Sequence, residues 1–140
     1  DAFRPDLAMS LNNLANRLSE LGRREDALAV AEEAVSLYRT LAAQRPDAFR
    51  PDLATSLWVL ADCLDALARQ EEGLAANAEA IGFMAEPFAR LPLAFADRMG
   101  GMAREYRDRC EKLGQEPDMV LLTPIVETFE QLQAAQENPP

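Results

Sequence analysis

The residues best suited to chemistry in this chain are amides, carboxylates and one indole, and the chemistry they offer is binding. Asn12, Asn13 and Asn16 cluster on one side of a helical pattern, where amides can both donate to and accept from a peptide backbone. Asparagine is a weak helix former. The cluster therefore serves either a ligand or a solvated, structurally hydrogen-bonded helix face, and the residues alone leave both open. Catalysis finds fewer parts. The chain has no His, no Cys-x-x-Cys, no phosphate-cradling glycine loop and no base beside a Ser or Cys nucleophile. Carboxylate pairs such as Glu32-Glu33 and Glu71-Glu72 are sequence neighbours, which point in different directions on a helix. No ligand set has the spacing of a metal site. The expectation is a protein without catalytic residue, metal or cofactor.

A duplication positions these side chains. Asp1-Ala2-Phe3-Arg4-Pro5-Asp6-Leu7-Ala8 returns as Asp47-Ala48-Phe49-Arg50-Pro51-Asp52-Leu53-Ala54, and at that offset about half of positions 1–46 recur in 47–92. A fainter third copy follows. Phe95, Met99, Tyr106, Cys110, Leu113 and Gly114 fall where the first copy has Phe3, Leu7, Leu14, Leu18, Leu21 and Gly22. Three units, about 1–46, 47–92 and 93–138, make one repeat domain. The chain opens in mid-pattern without an initiator Met, so a fragment of a longer array is expected.

Each unit reads as two helices. Pro5 fits a first helical turn, where its missing N–H costs nothing, and Asp6 favours the positive end of the dipole. From about Arg4, Leu7, Leu11, Leu14, Ala15, Leu18 and Leu21 make an apolar stripe that Gly22 ends. Glu25 and Asp26 open a second helix, with Ala27, Leu28, Ala31, Ala34, Val35, Tyr38 and Leu41 on its apolar face, and Pro46 stops it. The short link makes the two antiparallel neighbours. Unit two repeats this with helices from about Arg50 to Leu67 and from Glu71. Pro87 stands where unit one has Leu41, so the second helix is expected to kink or end near Glu86, with Phe88 to Leu91 as a separate turn. Unit three runs from about Leu93 to Leu113, passing Gly100 and Gly101, which mark either a close neighbour or local flexibility. It ends at Gly114 and restarts at Pro117-Asp118. Glu127 and Glu130, where unit one has Val35 and Tyr38, suit a terminal helix facing water. Asn138-Pro139-Pro140 is expected to be disordered. The architecture is all-α: three antiparallel helix-turn-helix repeats, six helices in all.

The run Ser10-Leu11-Asn12-Asn13-Leu14-Ala15, then Leu18, Leu21-Gly22-Arg23-Arg24-Glu25-Asp26-Ala27, Ala31 and Ala34, resembles the tetratricopeptide repeat, in particular the long variety of kinesin light chains and large bacterial arrays. The resemblance is strong in unit one, good in unit two and weak in unit three, and the repeat of about 46 exceeds the family's shortest, 34. It implies a right-handed α-solenoid whose first helices line a concave groove that binds extended peptides or partner helices. Carried over, the inward positions are Met9, Asn12, Asn13, Asn16 and Glu20; Thr55, Trp58, Val59, Asp62 and Asp65; and Arg104, Glu105, Asp108 and Glu111. From these the candidate partner-binding residues are Asn12, Asn13, Asn16, Trp58, Asp62, Asp65, Arg104 and Asp108. Trp58, the only tryptophan, replaces the counterpart of Asn12 rather than a core leucine. It is either an interface anchor or packs on a neighbouring helix.

The formal net charge of -10 lies mainly in units two and three. It argues against nucleic acid, which needs clustered Lys and Arg, and with Asp62 and Asp65 favours basic or neutral protein partners over acidic ones. No apolar run is long enough for a membrane span and no leader is present. A cytoplasmic protein is expected, with Cys63 and Cys110 reduced and partly buried. The functional expectation is a protein-binding scaffold. Its rivals are a structural or self-associating segment, joined through repeat ends or by helix exchange at Pro87, and a sensor region of a larger multidomain signalling protein.

Overall fold

The structure is a computed structural model that describes residues 4–138; the opening residues of the first octet and the last two of Asn138-Pro139-Pro140 lie outside them. The described residues form six helices and no strand: α1 Arg4–Glu20, α2 Arg24–Gln44, α3 Pro46–Ala66, α4 Gln70–Arg90, α5 Pro92–Leu113 and α6 Met119–Glu137. Each helix packs on the next. α1 also touches α3, and α6 lies against α4 as well as α5. No helix among the described residues is long and apolar enough to cross a membrane.

Small residues set the closeness of this stack. Ala8, Ala15, Ala31, Ala34, Ala54, Ala61 and Ala80 have no exposed surface, so neighbouring helices approach until leucines and methionines fill the remaining gaps. At Gly73 an added Cβ would lie 3.1 Å from the Ala61 carbonyl oxygen of α3. Gly101 is tighter still. A Cβ there would lie 2.6 Å from Cη2 of Trp58, which decides its role in favour of close approach. Cys63 and Cys110 are both buried and unpaired.

Three boundaries differ from the sequence reading. α3 begins at Pro46, a turn before Arg50, because the proline that stops α2 also suits the first position of the next helix. Pro51 consequently sits inside α3. α4 runs through Pro87 to Arg90 instead of ending near Glu86, and the Leu91 N–H closes it on the Pro87 carbonyl. α6 starts at Met119, where the Asp118 carboxylate accepts from the Val120 and Leu121 amides. The Tyr106 hydroxyl accepts from the Asp118 N–H at 2.9 Å and ties this start to α5. Asn138 caps α6 with its N–H on the Ala134 carbonyl.

The turns inside the pairs repeat as well. Gly22 (φ 77°) and Gly114 (φ 65°) end α1 and α5 in the left-handed region, and Ala68 holds the same conformation (φ 61°) after α3. An L side chain there costs roughly 1–2 kcal/mol, partly offset because glycine loosens the unfolded chain. Ala68→Gly is expected to stabilise the protein by about 0.5–1 kcal/mol, read as a higher urea midpoint at unchanged slope. A midpoint that stays put or falls would show that Ala68 is unstrained.

Candidate functional site

The first helices of the three units face one cleft. A cavity of about 430 Å³ opens there, lined by Pro5, Asp6, Met9 and Asn12 of α1, Tyr38 of α2, Phe49, Asp52 and Thr55 of α3, and Arg98 of α5. The octets place four of these nine residues, Pro5, Asp6, Phe49 and Asp52, and Asp6 and Asp52 are the same residue of the two copies. The polar atoms of the cavity are incompletely used. The Asn12 Oδ1 is buried without a hydrogen-bond partner among the described residues. Thr55 donates its hydroxyl to the Pro51 carbonyl at 3.0 Å and accepts from Arg98 at 3.4 Å. The Arg98 guanidinium lies 5.6 Å from the centroid of the Phe95 ring. Burial pushes the Asp52 carboxyl above the ordinary carboxylate range, with Arg98 pulling against it. Burial, reinforced by Asp52, raises the Tyr38 hydroxyl to about 12.

Further along, a second polar cluster joins α3, α4 and α5. The indole N–H of half-buried Trp58 donates to the Glu105 carboxylate, and its ring lies on Gly101. Arg109, only 8% exposed, donates to the Asp62 carboxylate and to Oδ1 of Asn77, both at 2.6 Å. Asn77 in turn donates to the Met102 carbonyl at 3.0 Å. Burial raises the Asp62 carboxyl, the Arg109 hydrogen bond opposes this, and Glu105 pushes it up again. Much of this cluster is internal glue between helices.

The eight candidate residues thus fall in separate places. Asn12 lines the cavity. Asn13 and Asn16 are exposed on α1, and Asp65 is half-buried near the end of α3. Trp58 and Asp62 meet in the α3–α5 cluster. Arg104 and Asp108 line a different groove, between α5 and α6, with Ala103, Leu122, Ile125 and Phe129. Tyr38, Asp52 and Arg98 were not among the candidates. The recurrence of Asp6 as Asp52 was the available signal, and it reads equally well as acid at a helix start.

Six helices in consecutive antiparallel pairs, with first helices sharing a polar cleft, define a helical-repeat solenoid. Residues 7–44, covering most of α1 and all of α2, match the family model described as "Tetratricopeptide repeat". Repeats of this family generally mediate protein–protein interaction. No curated protein and no solved structure matches the chain.

Proposed function

We propose that the chain is a non-catalytic interaction module that holds an extended peptide or a partner helix in the cleft between α1, α3 and α5. The observation that carries this reading is the unpartnered, buried Oδ1 of Asn12 at the wall of an open cavity. A buried acceptor without a donor costs about 1–3 kcal/mol, and a donor group of the bound partner would supply one. Met9, 54% exposed on the same wall, offers an adaptable apolar contact. The test is a displayed library of random peptides selected on the immobilised protein. Selected peptides should lose at least about tenfold in affinity with Met9→Lys or Asn12→Ala, and none with Arg104→Ala, which alters the other groove. Undiminished capture by both cleft variants would refute this assignment.

A second reading, association through the end of the stack, is favoured by one contrast. Leu7 and Leu14 of α1 and Leu21 just after it are 48%, 45% and 73% exposed, whereas Leu53, the duplicate of Leu7, is 1% exposed in the core that holds Val35, Tyr38 and Leu41 of α2. The face of α1 is what α3 would be without α2. Light scattering over a concentration series reads directly whether a second copy covers it.

A further inference from the structure

The cavity at Asn12 has a composition that selects one kind of side chain. Two of its acceptors have no donor among the described residues. Asp52 accepts no hydrogen bond from the described residues, and Asn12 Oδ1 is likewise unpartnered. Tyr38, only 6% exposed, lines the same cavity, and its hydroxyl makes no hydrogen bond among the described residues. Among the charged groups that line the cavity, the carboxylates of Asp6 and Asp52 outnumber the single cation of Arg98, which acts on Asp52 through its charge but makes its hydrogen bond to Thr55. Met9 and Phe49 add apolar surface suited to a methylene stem. The volume, about 430 Å³, lies in the range of roughly 300–1,000 Å³ typical of ligand pockets.

We propose that this cavity receives one basic side chain of the bound partner, an arginine or lysine whose cationic head meets Asp52 and the Asn12 amide oxygen while its stem lies along Met9 and Phe49. The inference rests on the reading of the cleft as the interaction face and adds the chemistry of the partner. It also accounts for a carboxylate that works against the empty fold. A group whose folded-state pKa is raised favours the fold most below its unfolded pKa, and that contribution is lost as pH rises through the folded value. Asp52 is therefore a liability at neutral pH unless a cation arrives; Arg98, Asp6 and Tyr38 are the charged or titratable groups that share its cavity. Binding sites often retain residues that cost stability.

The test titrates the whole chain with two synthetic peptides of one sequence, blocked at both ends, carrying arginine or its uncharged analogue citrulline at the centre. Backbone amide NMR shifts report the site and the affinity. The arginine peptide should move the amides of Met9, Asn12, Asp52 and Thr55, and the citrulline peptide should bind about tenfold more weakly or worse. Asp52→Asn should weaken the arginine peptide by a similar factor while raising the melting temperature at pH 7, with the thermal gap closing as pH falls below the ordinary carboxylate range. A merely structural Asp52 would not show opposite effects on binding and stability. Equal binding of the two peptides, no binding of the arginine peptide at millimolar concentration, or indifference to Asp52→Asn overturns the proposal. If library peptides held in the cleft by Met9 and Asn12 prove free of basic residues, the interaction reading stands and the basic-side-chain inference falls.

Discussion

Phe88→Ala is expected to lower the unfolding free energy by about 3–5 kcal/mol, a fifth or more of the roughly 5–15 kcal/mol that holds an ordinary domain together. Phe88 is 1% exposed, and its ring centroid lies 4.8 Å from that of Phe129 at a 46° tilt. It follows Pro87 directly, and together they explain why α4 does not end where the proline should end it. Proline inside a helix costs ~3 kcal/mol. Burying a phenylalanine returns about 1.5–3 kcal/mol, and a tilted aromatic pair adds about 0.5–1.5 kcal/mol. The two sides are comparable, so the helix continues. α6 has little else to hold it, because Leu122 and Ile125 are its only fully buried side chains among the described residues. The loss should therefore be local. Hydrogen exchange should show amides of α6 and the last turn of α4 opening first, while those of α1 to α3 keep their protection. A loss below about 1 kcal/mol would mean that Phe88 does not carry the helix through the proline.

Pro87 illustrates what the sequence conceals. Helix pairs, their turns and their apolar faces follow from periodicity, glycine and the duplication, all local signals, and the described helices follow them closely. The continuation past Pro87 depends on Phe129, far along the chain in α6, and nothing near residue 87 announces it. The start of α3 failed differently. Pro46 signals a stop, but proline, lacking an N–H, can end one helix and begin the next, and the single residue Arg45 separates them.

The site was legible in part for the same reason. Met9, Asn12 and Thr55 lie on faces that the helical repeat fixes, and they line the cavity. Tyr38 reaches it from the second helix of unit one, where periodicity marks it as core, and Arg98 comes from the third copy, whose likeness to the others is faint. Arg104 and Asp108 were placed by analogy with unit one. In unit three α6 leans on α4 as well as on α5, which leaves a groove beside α5 and lays those two residues along it. Faces transfer between repeats only where the neighbours transfer too. The glycine at position 101 was ambiguous by itself; paired with Trp58 it becomes the place where α5 approaches α3, with the indole occupying the room a side chain would need.

Arg109→Ala is expected to cost about 2–4 kcal/mol, and its partners show why the figure is not larger. Asn77 is fully buried and would lose the donor to its Oδ1, leaving an unsatisfied acceptor worth about 1–3 kcal/mol. The Asp62 side chain is 56% exposed, so water can replace the guanidinium there. The remaining loss comes from the packing of the arginine stem, since Arg109 is nearly buried. The chain contains its own alternative. One repeat earlier the positions of Arg109 and Asn77 are held by Cys63 and Ala31, both buried in one apolar cluster. A polar pair replaced on both sides by apolar groups is often neutral. The double variant Asn77→Ala with Arg109→Leu should therefore be less unstable than the sum of its single changes by more than about 1 kcal/mol. Urea denaturation of the four proteins gives this coupling. Strictly additive losses would mean that Arg109 and Asn77 contribute separately. Coupling would mean that the second interface is locked by a buried polar pair where the same positions of the first are apolar, so the two joints of the stack, built from duplicated helices, are made to fit different neighbours.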